Sequence, residues 1–395
     1  MNEAEQKIID TVNRLEDEMI DFAMRLVAEP STLGNEAGVI TVMTNELNRL
    51  GFSTSLVPLA NDALKNHPGF APVPWSLEGR YNVVGTLAPG DDGGRSALFN
   101  GHLDVVNAGK AEFWSHDPFS PVVSDNWLYG RGAGDMKSGV SAMTYAAYAI
   151  QLAGFRLCAP LTIEAVIEEE CSGNGALSCL AAGYDAEAIL IPEPFGPTIL
   201  TDQVGVLWFK VVLCGEPAHV LRAPSGINAI EKCYPLIAAL RQLEMHMNTT
   251  DVPEAYAGIE HPLNLNIGTV TGGDWPSTVP AEVEFHGRLS FFPGTGYAQV
   301  RRQIEETIQR AAGEDEWLRH NPPSVKFYGF RSEGHSISRN LPALALLDDC
   351  HRSLTGKTAA SYVAKCTTDL RAFHWFGKGQ STCYGPVAEN IHGTN

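Results

Sequence analysis

The sequence predicts an α/β protein in which a smaller α+β block is inserted into a larger mixed-sheet domain, and three observations predict it. The chain of 395 residues is too long for one ordinary core, so two domains are expected, each burying its own. Up to about residue 200, short apolar runs that end in polar or acidic residues alternate with helical periods. From about Val204 the pattern changes to longer strands and helices, and it returns to the first kind near Leu341.

Composition narrows the class. With 44% hydrophobic and 19% charged residues the chain reads as a soluble globular protein. A formal net charge of −18 argues against nucleic acid or an anionic membrane as partner, since either requires a basic face. The charged start Met1-Asn2-Glu3-Ala4-Glu5 does not resemble a signal peptide, and no apolar run reaches the ~20 residues of a membrane span. The eight cysteines are scattered without a Cys-x-x-Cys pair, so they read as reduced thiols of a cytoplasmic protein. Cys171 stands out because it abuts an acidic cluster.

The elements follow in order. Ile8, Val12, Leu15, Met19, Phe22 and Leu26 recur at alternating steps of four and three, which predicts one helix that stops before Pro30. A second helix is expected over 36–50, closed by Gly51, then a strand over 53–59 and a loop over 61–80. The apolar runs 82–87 and 96–99 are separated by Pro89-Gly90-Asp91-Asp92-Gly93-Gly94, which predicts a hairpin. The aromatic, proline-rich stretch 114–121 reads as the rim of a cleft or as plain packing. A small-residue helix reaches about Ala153, and strands at 161–167 and 188–191 flank a short helix at 173–183. In the inserted block, strands at 204–213, 263–270 and 282–291 alternate with helices at 228–243 and 296–312, giving two strand-helix-strand halves. A helix at 341–354 opens the return.

The chemistry-bearing residues lie at the ends of these runs. In Asn100-Gly101-His102-Leu103-Asp104-Val105-Val106, side chains two apart point to one side, the geometry of a metal ligand and the carboxylate that orients it. A satisfied core histidine beside a surface acid fits this stretch equally well. In Leu128-Tyr129-Gly130-Arg131-Gly132-Ala133-Gly134-Asp135-Met136-Lys137-Ser138-Gly139, three glycines ahead of an acid permit a tight backbone that aims Asp135 inward. The spacing fits neither a P-loop nor a dinucleotide fingerprint, and an aspartate would repel phosphate. Glu168-Glu169-Glu170 is either a solvated acidic loop or, at the carboxyl end of a strand, part of a site. Pro192-Glu193-Pro194 puts another acid at a strand end, and Tyr384-Gly385-Pro386 leads to a last histidine, His392.

Together, His102, Asp135, Glu170, Glu193 and His392 offer imidazoles and carboxylates without thiolate, which suits zinc, cobalt or manganese in an open catalytic site. Five ligands exceed the need of one ion. Two ions that share one carboxylate and a water fit better, at the ~3.5–4 Å spacing of co-catalytic pairs. Hydroxide held there attacks a carbonyl, and Glu169, next to Glu170, is the candidate base that passes the proton to the leaving amine. A serine or cysteine nucleophile is the competing mechanism; the chain has no Gly-x-Ser-x-Gly elbow, and Cys171 has no evident histidine partner.

Gly-His-Leu-Asp-Val-Val, Gly-Arg-Gly-Ala-Gly-Asp-Met-Lys-Ser-Gly, Glu-Glu-Glu-Cys-Ser-Gly-Asn-Gly-Ala, Pro-Glu-Pro and the terminal Tyr-Gly-Pro with its later histidine occur in this order. With them the sequence resembles the acetylornithine deacetylase / succinyl-diaminopimelate desuccinylase family of di-zinc amidohydrolases, whose relatives include glutamate carboxypeptidases and aminoacylases. The resemblance runs from Asn82 to His392. It implies a mixed-sheet, zinc-exopeptidase-like catalytic domain in two segments, 1–200 and 326–395, around an inserted ferredoxin-like α+β lid at 201–325 that dimerises. It implies that His102 and Glu193 bind one zinc and Glu170 and His392 the other, that Asp135 bridges them, that Asp104 orients His102, and that Glu169 is the base. The peptide bond after the bridging aspartate is usually cis in that family, which would account for the glycines ahead of Asp135.

In Gly215-Glu216-Pro217-Ala218-His219, the histidine matches one that reaches across the dimer to the oxyanion of the partner's site; alone it also reads as a surface histidine. Arg288 matches a position that often grips a substrate carboxylate, and it fits a structural ion pair as well. Two departures stand out. Relatives often carry Asn-x-x-Pro where this chain has Ser277-Thr278-Val279-Pro280, and they continue through a glutamate and a final helix where this chain stops three residues after His392. The expectation is a cytoplasmic, homodimeric di-zinc amidohydrolase that removes the acyl group from an N-acyl amino acid or close analogue. Its rivals are a carboxypeptidase or dipeptidase with the same metal site, and a metal-poor binding or scaffold protein.

Overall fold

The first amphipathic period breaks where one helix is expected to continue. In the computed structural model, which describes residues 2–90 and 93–394, α1 (Glu3–Arg14) and α2 (Glu16–Val27) are separated at Leu15, whose φ of −93° and ψ of 3° leave the helical range. Glu16, Asp17 and Glu18 explain the restart, because acids favour the positive end of a new helix dipole. The apolar stripe survives the break, with Leu15, Phe22 and Leu26 buried. Helix α3 (Ala37–Arg49) ends as expected, with Gly51 at φ 85°. Strand β1 (Ser53–Pro58) follows, and the expected loop contains one short helix, α4 (Asp62–Lys65), capped by the Asn61 side chain.

Next come β2 (Tyr81–Leu87), β3 (Ala97–His102) and the ribbon β4 (Val122–Ser124) and β5 (Trp127–Tyr129), whose turn holds Asp125 and Asn126 at positive φ. Helix α5 (Ser138–Leu152), β6 (Leu161–Val166), α6 (Asn174–Ala181) and β7 (Ala188–Ile191) complete the first part. Strands β2 and β3 do not form the expected hairpin, and Asp91 and Asp92 of its turn lie outside the described residues. Instead β6 lies between them, antiparallel to β2 (Val83 opposite Ala165) and parallel to β3 (Phe99 opposite Ile163). Burial is the reason: Leu161, Ile163, Ala165 and Val166 form a nearly continuous buried run, which demands a neighbour on either side.

The strand expected at 204–213 is present, shifted by one residue, and a strand not anticipated precedes it. β8 (Ile199–Gln203) ends before Val204, and β9 (Gly205–Cys214) begins a different sheet. Then follow α7 (Ala229–Met247), β10 (Leu265–Gly272), β11 (Glu282–Phe291), α8 (Tyr297–Glu314), α9 (Glu316–His320) and β12 (Ser324–Ser332). The sheet order β10-β11-β9-β12 with two helices is ferredoxin-like; β12 is the strand not anticipated. Phe209 and Val211 of β9 pack with Leu236 and Leu240 of α7 and Ile304 and Ile308 of α8 in a core of their own.

The chain returns through β13 (His335–Ser336), α10 (Pro342–Thr355), β14 (Ser361–Ala364), α11 (Leu370–Phe376) and β15 (Gln380–Cys383). Among the described residues β15 closes a six-stranded sheet of order β1-β2-β6-β3-β7-β15, and β13 and β14 flank β8 in a small sheet. The outgoing and returning passages touch: His335 pairs with Gln203, and a Cβ on Gly334 would stand 2.7 Å from the Gly205 amide nitrogen. No helix among the described residues is long and apolar enough to cross a membrane.

Candidate metal centre

Strands β3, β6 and β7 run parallel, so their carboxyl ends open along one edge of the large sheet. His102 is the last residue of β3, Glu168, Glu169 and Glu170 lie beyond β6, and Glu193 stands just past β7. Asp135 arrives from the glycine loop. Gly132 has φ 83°, and a Cβ there would stand 2.4 Å from Val105 Cγ1, so the turn needs glycine on both counts. The Asp135–Met136 peptide bond is cis. Behind it the fully buried Lys137 donates from Nζ to the carbonyls of Leu26 (2.8 Å) and Glu29 (2.9 Å), where the C-terminal end of α2 attracts a cation.

These elements bring four of the five expected ligands together. His102 Nε2 lies 3.0 Å from Asp135 Oδ1, and His392 Nε2 lies 3.3 Å from Asp135 Oδ2 and 3.4 Å from Glu170 Oε1. Asp135 thus presents one oxygen to each imidazole. Donor atoms of His102, Asp135 and Glu170 fall within 4.8 Å of one another. Glu193 is buried at the same edge, outside that tight group.

The electrostatics follow from burial among like charges. Burial alone would raise the Asp135 carboxyl, but hydrogen bonds from His102 and His392 outweigh it and hold it well below the usual carboxylate range. Burial pushes Glu169 and Glu193 well up, with Asp369 adding to both. Bonds to Asp135 and Glu170 lift His392 to about 10. Crowded carboxylates and imidazoles without thiolate are a donor set that fits divalent zinc-type ions. A second observation agrees: the buried Glu169 Oε1 has no hydrogen-bond partner among the described residues.

Asp104 acts on three neighbours. The nearest acceptor to His102 Nδ1 is the Asp104 backbone carbonyl at 2.9 Å, while its carboxylate oxygen is 3.8 Å away. That carboxylate instead accepts the backbone N–H groups of Glu169 (3.3 Å) and Glu170 (3.1 Å). Glu168, fully buried, anchors the acidic turn by accepting from Trp75 Nε1 (2.8 Å), Arg80 and Ser172. Cys171 is buried, and burial beside Glu168 pushes its thiol far up, away from nucleophilic use.

His219 and Arg288 are not in the cluster. His219 is exposed on the loop after β9, where its Nδ1 accepts the Leu221 N–H at 3.1 Å. Arg288 lies on β11 opposite Trp208, burial lowers its pKa, and no ion pair of it occurs among the described residues. The sequence reading missed Arg131, Lys137 and Asp369. Asp369 is buried with neither carboxylate oxygen hydrogen-bonded among the described residues, and Arg371 is 3.7 Å away. Arg131 and Lys137 stood inside a motif already quoted, and their charge amid glycines was the available signal; Asp369 offered none.

The imidazoles and carboxylates at the parallel edge of this fold form a candidate metal site, and the chain's family makes it a metal-dependent hydrolase of amide bonds. The sequence model of peptidase family M20/M25/M40 matches residues 98–395, and the chain belongs to that family. It is 30% identical over 371 residues to N-formyl-4-amino-5-aminomethyl-2-methylpyrimidine deformylase of Bacillus subtilis (strain 168), covering 90% of this chain and 81% of that one. It is 30% identical over 304 residues to succinyl-diaminopimelate desuccinylase 1 of Alteromonas mediterranea, covering 74% and 71%. Among solved structures, the dipeptidase Dug1p from Saccharomyces cerevisiae superposes with a TM-score of 0.77 at 13% identity, over 100% of this chain and 94% of that one.

Proposed function

We propose that the chain is a deacylase that removes the acyl group from an N-acyl amino acid or a close analogue, using two divalent ions, zinc in the first instance with cobalt or manganese as substitutes. The observation that carries this reading is Asp135, whose two oxygens face His102 on one side and His392 on the other, beside the unpartnered Glu169. His102 and Glu193 would hold one ion, Glu170 and His392 the second, and Asp135 both. Bound there, the ions would polarise the amide carbonyl and activate a water. Glu169 takes the proton of the attacking water and returns it to the leaving nitrogen, while Asp104 holds the turn that aims it.

Two residues outside the cluster complete the reading. Because Nδ1 of His219 accepts from Leu221, its proton belongs on Nε2, which leaves a donor free for an oxyanion in the partner's site of a homodimer formed through the lid. Arg288 has a guanidinium without an ion pair among the described residues, which suits it to a substrate carboxylate. The catalytic segments 1–200 and 326–395, the lid at 201–325 and the cytoplasmic setting belong to the same reading. The named relatives support deacylation of a small amine.

Two measurements test it. Metal analysis of the purified chain is expected to find about two divalent ions per chain, and one or none at saturation would remove the bridged site. A panel of acetyl-, succinyl- and formyl-amino acids, a formylated aminomethylpyrimidine and dipeptides, assayed with zinc and cobalt, is expected to give turnover on an acyl amine. Turnover of dipeptides alone would replace deacylase with peptidase.

A further inference from the structure

His392 is half exposed, yet it must be presented to Asp135 and Glu170 from the segment that follows β15. The segment is anchored upstream of His392 by backbone bonds such as Gly196 N–H to the Pro386 carbonyl at 2.9 Å, and around His392 itself the Arg131 side chain reaches it. Arg131 is 3% exposed in the glycine loop, and its backbone N–H donates to the Pro118 carbonyl at 2.8 Å. Its Nη1 donates to the Ile391 carbonyl at 2.8 Å, and its Nη2 to the carbonyls of His392 (3.3 Å) and Gly393 (2.9 Å). The guanidinium carbon lies 5.1 Å from the centre of the Trp114 ring, and Trp114 is itself fixed by Nε1 donating to the Ala108 carbonyl at 2.8 Å. Arg131 has no ion pair among the described residues, so its hydrogen bonds go to three consecutive peptide carbonyls. A planar fork can make this arrangement and a point-like ammonium cannot. By contrast, the bond from Gly393 N–H to the Asn390 carbonyl stays within the segment.

We propose that Arg131 is a positioning residue: it clamps the main chain on both sides of His392 and so sets the second metal position from the same loop that delivers Asp135. Both partners of the bridged pair then take their places from one loop. The proposal rests on the reading of His392 as a ligand.

The test uses the full chain and two readouts, zinc binding at controlled free zinc and amide hydrogen exchange of the metal-free protein. Arg131→Ala is expected to weaken one of two ions about 10- to 100-fold, the range for removing a residue that supports a ligand. The other ion stays unchanged, exchange accelerates at 391–394, and added methylguanidinium restores both readouts. Arg131→Lys, which keeps the charge and loses the fork, falls between and guards against misfolding of the alanine variant. Wild-type affinity for both ions in Arg131→Ala, or unchanged exchange at 391–394, overturns the proposal. His392→Ala separates the two ideas. If it too binds both ions as the wild type does, the ligand reading fails and takes the proposal with it; if it loses an ion that Arg131→Ala keeps, only the clamp is overturned.

Discussion

Glu169 lies among charges it does not hydrogen-bond. Its Oε1 is buried without a partner among the described residues, Asp369 and Glu193 raise its pKa together with burial, and its backbone N–H is held by Asp104. A carboxylate so placed can take a proton and give it back, which is what a general base in amide hydrolysis must do. Glu169→Gln preserves shape and is expected to keep metal content while lowering turnover by about 10²–10⁴-fold. Near-normal turnover with intact metal would remove Glu169 as the base. At this scale the sequence was most readable, because His102, Asp135 and Glu170 each stand at an abrupt switch from an apolar or glycine run to a polar residue. The division of labour in Asp104 was not, since which of its oxygens faces which partner depends on a turn contributed by β6, more than 60 positions away.

Elements carry the site only because their ends are fixed. The glycine loop is pinned from behind by Lys137 on the end of α2 and from the front by Gly132 against Val105. Gly132→Ala is expected to destabilise the chain by about 1–2 kcal/mol for the left-handed backbone, with an overpacking cost of similar size from Val105. Chemical unfolding that loses less than about 1 kcal/mol would contradict the geometry of that turn. Strand β11 was legible residue for residue, and α3 within one position at each end, because a single strong period or cap defines each. The β2–β3 hairpin failed for the opposite reason: a turn-rich connection says that the chain reverses, while the strand that intervenes is chosen by the burial of β6. Short elements such as β14, α11 and β15 have too few residues for a period to show, so Asp369 at the head of α11 was invisible.

For the whole molecule, the role proposed for His219 sets a condition on assembly. It sits outside the cluster of its own chain, on an exposed loop beside Leu221, 83% exposed, and the role proposed for it would need a second copy. Mixing His219→Ala with Glu169→Gln is expected to restore part of the activity, because a heterodimer recovers one site with both residues intact. No recovery despite proven subunit exchange would rule out action in trans. The change near Val204 was read from the lengths and order of the apolar runs, but the crossing of the two passages was not legible, as it joins residues 203–205 to residues 334–335. That crossing has a genetic consequence. Since Gly205 and Gly334 lie backbone to backbone and β8 pairs with β13, the stretch between them is bounded like a cassette, with entry and exit at one point. An ancestral gene could gain or exchange this stretch at a single seam while leaving the strand ends that carry His102, Glu170 and Glu193 undisturbed.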